Sequence, residues 1–496
     1  MRNMKLAQRA CVPLARLRER VRREGSSPNR LWLSLALPFL LVGCASTSPA
    51  RQPATGELPA AWAAEGRAES SIDKAWWKLY GDSQLNRLVD EALAQNSNLA
   101  LAVARVDEAR AQLGITRSNE APSVDANFSR SRQQSSESSS TPLPPGTSRE
   151  RNDYRATLNV AYELDLWGRL RHTTAAAQAD LLASEAARET VRITLAADVV
   201  QGYFALRALD EQIAATQRAL ATRNEWLGLQ KLRFEEGVIS EFDFRQLEAD
   251  VAAAEAQLPS LALQRGQQEN ALAVLLGRSP KAIYEGAVER GPAEAGSAPL
   301  VLVAPAGLPS ELLLRRPDLI EAEQRLIAAN ARIDAARTAL FPSISLTGYL
   351  GGESALLRNL FSGPAGIWSL AAAIAQPIFA GGKLKAGIDA AEARERQALI
   401  QYQQAIQTAF MEVRNAILAQ VKMRERFEAE ARRVVALNQS LHLAKLRYEN
   451  GVASQLDVLD AERNLLNAEQ NRADAQRAQR AAIADLFKAL GGGWNS

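Results

Sequence analysis

Across 496 residues the chain holds only two cysteines, two histidines and four methionines. Cys11 and Cys44 both fall in its first tenth, so neither a disulfide framework nor a cysteine-based zinc cluster can hold the remainder together. His172 and His442 stand alone in alanine-rich, helix-patterned sequence, without an acidic or nucleophilic partner at a useful spacing. They read as ordinary helix residues. Neither a GxSxG elbow nor an HExxH pair is present. The stretch FAGGKLK is a phosphate loop only superficially: Pro377 stands where the first glycine belongs and Leu384 where a Ser or Thr would reach a metal. No catalytic or metal site is expected, and no enzyme. Long apolar runs are also missing. The clearest, LWLSLALPFLLV at 31–42, is too short for a membrane-spanning helix.

That run is preceded by a crowd of arginines over residues 2–30 and followed by Leu41-Val42-Gly43-Cys44. A basic stretch, a short apolar core and a small-residue cleavage site make residues 1–43 an export signal. The terminal Val-Gly-Cys is similar to a bacterial lipoprotein box, in which the Cys44 thiol receives a diacylglycerol and becomes the new N-terminus. No other cofactor is expected. The formal charge of +3 misleads: residues 1–43 hold nine Lys/Arg and two Asp/Glu, leaving the rest with 50 basic and 54 acidic residues. Nucleic acid is not an expected partner. Residues 44–72, rich in Ala, Pro, Ser and Gly, suit a flexible tether after the lipid.

Beyond the tether the chain states one plan twice. LRFEEGVISEFDF at 232–244 returns as LRYENGVASQLDV at 446–458, an offset of 214 that holds through Glu248/Glu462, Leu272/Leu486 and Gly277/Gly491. At an offset of 220, Arg105, Arg117, Pro122 and Ser123 meet Arg325, Arg337, Pro342 and Ser343. A period this long argues for a duplicated domain rather than a solenoid. The repeats are assigned to 73–277 and 311–496, joined by 278–310, whose five prolines suggest an irregular crossover.

Each repeat orders helix, proline, two strands, a long helix, a Gly turn and another long helix. In the first, strands are expected at about 123–130 and 154–166, and helices at 168–236 and 240–277. In the second, strands are expected at about 343–350 and 367–376, and helices at 382–450 and 454–490. Within 154–166, Tyr154, Ala156, Leu158, Val160 and Tyr162 alternate with Arg155, Thr157, Asn159 and Glu163. Period two over that length suits a tilted strand crossing a bilayer with one face in lipid. The first helix of each pair runs on the order of 100 Å at 1.5 Å per residue and must pack laterally, coiled-coil fashion.

Four membrane strands cannot close a barrel, and an open sheet in lipid leaves edge groups unpaired at several kcal/mol each. Single-chain bacterial barrels start at about eight strands. Several copies must therefore share one barrel, with the helices continuing as a hollow cylinder. Here the residues carry a resemblance. Cys44, WWKLYGDSQLNRLV at 76–89, LPSELLLRRPDLIEAE at 308–323, QPIFAGGKLKAGI at 376–388 and the LRYENGVASQLDVLDAER run resemble the TolC/OprM family of outer-membrane efflux channels, in its lipoprotein branch. The resemblance implies an α+β membrane protein: a homotrimer whose twelve-stranded β-barrel, four strands per chain, continues into a periplasmic α-helical barrel. It also implies a periplasmic adaptor (membrane fusion) protein and an inner-membrane resistance-nodulation-division (RND) transporter as partners, besides outer-membrane lipid.

The twin stretches read as tight αα-hairpins. Gly237 and Gly451 suit the left-handed residue that ends a helix, Ser240 and Ser454 suit N-caps, and Asp243 and Asp457 stand at the third helical position of a capping box. Following the chain away from the strands puts both at the periplasmic tip. Asp460 has no acidic twin, since its counterpart is Gln246, so capping does not explain it. It can share one helix face with Leu456 and Asp457. Rings of carboxylate favour cations, and an apolar ring can narrow and dewet a pore. The resemblance places Leu456, Asp457 and Asp460 at the periplasmic gate. It also puts Ala453 where the TolC branch has an arginine, which removes that branch's gate salt bridge here. A closed tip held by leucine packing and few polar links is the expectation. The reading is the outer-membrane channel of a tripartite efflux pump for drugs or other small molecules. The alternatives are an exit duct for type I protein secretion and a non-channel coiled-coil lipoprotein.

Overall fold

The computed structural model describes residues 74–136, 138, 144, 146–286, 288–291 and 315–493. The signal, Cys44 and the tether lie outside the described residues. The chain opens on a 3-10 turn, Trp76–Tyr80, then α1 (Ser83–Gln95), α2 (Ser97–Ser118), β1 (Ser123–Gln134), β2 (Glu150–Leu164), α3 (Arg169–Glu235) and α4 (Glu241–Leu275). After a short α5 (Pro280–Glu285) come α6 (Pro317–Thr338), β3 (Ser343–Ser354), β4 (Gly366–Ala375), α7 (Lys383–Glu449) and α8 (Gln455–Ala489).

The strands make one antiparallel sheet in the order β1-β2-β3-β4. Register pairs Phe128 with Ala156, Leu158 with Leu350, and Leu350 with Trp368, so one face is a continuous apolar band. The other carries Asp125, Asn127, Arg155, Asn159 and Ser345 by alternation. On that polar face Arg155 lies 4.7 Å over the Tyr349 ring and 3.6 Å from Glu353. The apolar face is open: Phe128 is 63% exposed, Leu350 60%, Trp368 80% and Leu370 79%. Such a sheet is stable only where something other than water covers that band. No described helix is long and apolar enough to cross a membrane.

The observed strands depart from the sequence reading at their ends. β1 runs on to Gln134 and β3 to Ser354, past the apolar alternation, because ladder bonds and the Arg132–Glu150 pair continue the hairpin in polar sequence. β2 starts at Glu150 and stops at Leu164 rather than Leu166. There the Asp165 carboxylate turns to accept from the Arg171 N–H (2.9 Å) at the start of α3. The crossover is not wholly irregular. Pro280 occupies the first turn of α5 behind the Ser279 cap, a position where its missing N–H and fixed φ favour a helix.

α3 and α7 span 67 residues each, about 100 Å at 1.5 Å per residue. α4 and α8, of 35 residues, return about half that distance. At that mid-level the end of α4 meets the start of α2, where Asn96 Nδ2 donates to the Leu275 carbonyl at 2.8 Å. The second repeat places Arg316 in the same role, donating to the Ala489 carbonyl at 2.8 Å. Glycines complete both seams. A Cβ on Gly277 would stand 2.2 Å from the Gln95 carbonyl oxygen, and one on Gly491 3.2 Å from that of Arg315. The offsets of 220 and 214 that align the sequence carry one seam onto the other.

The main core lies at this level. Trp76 stacks on Phe487 at 4.8 Å and Tyr80 packs on Phe204 at 4.9 Å, while the Tyr80 hydroxyl donates to the Arg480 carbonyl at 2.7 Å. Asp82 is fully buried. It caps α1 through Gln84 and Leu85 N–H groups and accepts from the Tyr203 hydroxyl (2.6 Å) and Arg207 (3.2 Å). The WWKLYGD segment is thus a strap tying α1 to α3 and α8.

Candidate functional site: the hairpin tip

Both αα-hairpins end in the same motif. At the first, the Gly237 N–H donates to the Phe234 carbonyl (2.9 Å) and the Val238 N–H to that of Arg233 (2.8 Å), with Gly237 at φ 74°. At the second, Gly451 bonds Tyr448 and Val452 bonds Arg447, both at 2.9 Å, with Gly451 at φ 73°. These are Schellman closures, which glycine makes without Cβ strain. Each turn then starts a helix on a serine. Ser240 Oγ accepts from the Asp243 N–H at 3.2 Å and donates to the Asp243 carboxylate at 2.7 Å. Ser454 Oγ accepts from the Asp457 N–H at 3.3 Å, and here the carboxylate also takes the Ser454 backbone N–H at 2.8 Å. The second hairpin therefore has the complete capping box. Hydrogen bonds from the Ser454 hydroxyl and backbone hold Asp457 below the usual carboxylate range.

Leu456, Asp457 and Asp460 lie on the exposed side of the first turns of α8, whereas Val458 and Leu459 turn inward and are buried. Asp460 is not a lone carboxylate. Arg463 Nη1 stands 3.5 Å from Asp460 and its Nη2 3.2 Å from Asp250 on α4. The counterparts of Asp460, Arg463 and Asp250 are Gln246, Ala249 and Asn464, so this ion chain belongs to one hairpin pairing and is not duplicated.

A second unduplicated link joins the hairpins. The Tyr448 hydroxyl on α7 accepts from Gln230 Nε2 (3.0 Å) and Arg233 Nη1 (2.8 Å) on α3, and Trp226 meets the Tyr448 ring edge-on at 5.2 Å. The counterpart of Tyr448 is Phe234, which stacks instead on Phe244 at 5.1 Å within its own hairpin. The signal was present in LRFEE against LRYEN, where one copy alone carries a hydroxyl. Beside the added carboxylate of Asp460, that single oxygen is the fainter difference between the two copies. Within one chain the two hairpins are joined by polar links through Tyr448 and Arg463, where leucine packing and few polar links are the expectation. Among the described residues no cluster of His, Cys, Asp and Glu suits a metal ion.

An amphipathic sheet with two free edges, drawn out into helices of about 100 Å that end in paired hairpins, defines a shared membrane conduit. The chain belongs to the Outer membrane efflux protein family, which matches residues 88–278 and 308–492, one stretch in each repeat. It is 37% identical over 470 residues to the outer membrane protein OprJ of Pseudomonas aeruginosa, covering 93% of this chain and 96% of that one. It is 32% identical over 470 residues to the probable outer membrane lipoprotein SilC of Salmonella typhimurium, covering 93% and 98%. In structure it is similar to the CmeC outer membrane channel of Campylobacter jejuni, with a TM-score of 0.82, 30% identity and coverage of 90% and 92%.

Proposed function

We propose that this chain is the outer-membrane duct of a tripartite efflux pump, passively conducting drugs or other small molecules from an RND transporter and a periplasmic adaptor to the exterior. The observation that carries the reading is the sheet: a lipid-compatible face on four strands that cannot seal alone, continuous with two 67-residue helices. Three copies would supply twelve strands and a ring of six hairpins. The α-barrel would stand in the periplasm and Cys44, lipidated, would anchor each N-terminus in the membrane. The name of the relative SilC supports the lipid.

In this reading the second hairpin forms the gate. Leu456 narrows the mouth, Asp457 and Asp460 place carboxylate rings there, and Tyr448 and Arg463 hold the second hairpin against the first. The adaptor opens the tip by breaking these links. Deleting the gene in a strain with one active pump should raise susceptibility to that pump's substrates, and restoring it should reverse the effect. Unchanged susceptibility with every candidate pump, together with no conductance of the purified protein in planar bilayers, would overturn the assignment.

A further inference from the structure

The two corners where a strand passes into a long helix share one plan but differ in charge. The ladder aligns them: Ala161 faces Ser123 in the first hairpin and Ala375 faces Ser343 in the second. At that offset of 214, Glu163, Asp165, Arg169 and Arg171 of the first corner correspond to Pro377, Phe379, Lys383 and Lys385 of the second. At the first corner both bases are matched by acids. Arg169 Nη2 donates to the two Glu163 carboxylate oxygens at 2.8 and 2.7 Å. Arg171 Nε lies 3.4 Å from Asp165, which also accepts from the Arg171 N–H at 2.9 Å. The Trp167 ring stacks on Phe341 at 5.1 Å, and its Nε1 donates to the Pro342 carbonyl at 2.7 Å.

The second corner keeps the bases and loses the acids. Among the described residues Lys383 and Lys385 form no ion pair, and Asp389, one turn on, reaches neither. Ile378 and Phe379 are 90% and 91% exposed, whereas their counterparts Leu164 and Asp165 are half-buried. They follow directly on β4, whose apolar face carries Leu370 and Ile374. Gln376 Nε2 fixes the turn by donating to the Leu340 carbonyl at 3.0 Å. The aromatic pair Trp167 and Phe341, at the helix end of the sheet, marks the level of a membrane interface. At that level two large apolar side chains beside two free ammonium groups match the acyl chains and the phosphate of a lipid.

We propose that this corner binds an anionic phospholipid of the periplasmic leaflet, with Lys383 and Lys385 on the phosphate and Ile378 and Phe379 against the chains. The inference rests on the outer-membrane reading and adds a lipid contact that belongs to the second repeat alone. Charge selects this occupant. The acyl groups on Cys44 would bring no phosphate and leave both lysines unmatched. A neighbouring copy would bring, at the offset of 220, its Glu120 where this chain has Leu340 and its Ala121 where this chain has Phe341. That is one carboxylate for two lysines, and no ring to cover Phe379.

Lipid retention tests the site directly. The full-length protein, reconstituted in vesicles of equal parts phosphatidylglycerol and phosphatidylethanolamine, is released into native mass spectrometry and its bound lipids are counted. The wild type should retain phosphatidylglycerol in preference by on the order of tenfold, since each basic residue at an anionic surface contributes about fivefold. Lys383→Gln with Lys385→Gln should lose that preference, and Lys383→Arg with Lys385→Arg should keep it. Pro377→Glu with Phe379→Asp, which gives the second corner the acids of the first, should lose it too. Equal preference in the wild type and the glutamine variant, or none in either, would overturn the site while leaving assembly and conductance standing. A glutamine variant that dissociates to single chains, matched by Glu120→Gln, would assign the corner to the neighbouring copy and overturn the lipid. Protein that does not enter the vesicles would overturn the membrane reading and the site together.

Discussion

Tyr448 and Phe234 occupy equivalent places and differ by one oxygen, and that oxygen ties the two hairpins of a chain together. Tyr448→Phe keeps the ring and its contact with Trp226 while removing both accepted hydrogen bonds. A net loss of about 1–2 kcal/mol is expected, since one donor is charged. In planar bilayers the variant should open more often than the wild type; an unchanged open fraction would deny the hydroxyl a part in closure. Replacing Asp457 and Asp460 together by alanine should enlarge the single-channel conductance, and an unaltered value would remove the carboxylates from the gate. Asp457 also sets a pH dependence. Its carboxyl is held below its ordinary range, so its cap is fully stabilising above the unfolded pKa of about 3.9 and is lost as pH falls through the lower folded value. Tip protection in hydrogen exchange at the second hairpin should therefore persist to more acidic pH than a free aspartate would allow. Two links at this scale are hard to read from the sequence, for different reasons. The Tyr448 hydroxyl was visible but unremarkable. The Arg463–Asp250 pair joins residues 213 apart on different helices, a proximity no local pattern reports.

At the scale of elements, the strands and long helices were legible because each obeys one period over many residues: two for the membrane strands, three and four for the helices. Ends were less legible. Polar residues extend β1 and β3 because a hairpin partner is available, and α5 forms in a stretch whose prolines suggest an irregular crossover. The mid-level seams were not legible at all, since their bonds join a helix start to a helix end 179 and 173 residues away. They make a contrast that can be measured. Gly451 and Gly277 have nearly the same positive φ, but a Cβ at Gly451 meets open space whereas one at Gly277 meets the Gln95 carbonyl. Gly451→Ala should cost about 1–2 kcal/mol of conformational strain. Gly277→Ala adds a backbone clash and should cost more, seen as a lower temperature of dissociation on semi-denaturing gels. Equal effects would mean the seam yields freely. The second seam is the more charged. Arg316 reaches Asp318 at 2.7 Å and Glu412 at 2.6 Å besides the Ala489 carbonyl, and although burial alone would lower its pKa, these carboxylates raise it.

At the scale of the whole molecule, duplication explains the shape. One ancestral hairpin-and-helices unit repeated within the chain gives two nearly equivalent sectors, and further copies of the chain continue the series around an axis. Among the described residues α3 is packed on more sides than α7, and β1 and β4 each keep a free edge. That conclusion was reachable from sequence, because four strands are too few to seal in lipid whatever their exact ends. The most direct measurement is the mass and ion conductance of the purified protein in lipid. The account predicts a particle of three chains that inserts into planar bilayers and passes ions in discrete steps. A monodisperse single chain, water-soluble without its acyl groups and electrically silent, would contradict it.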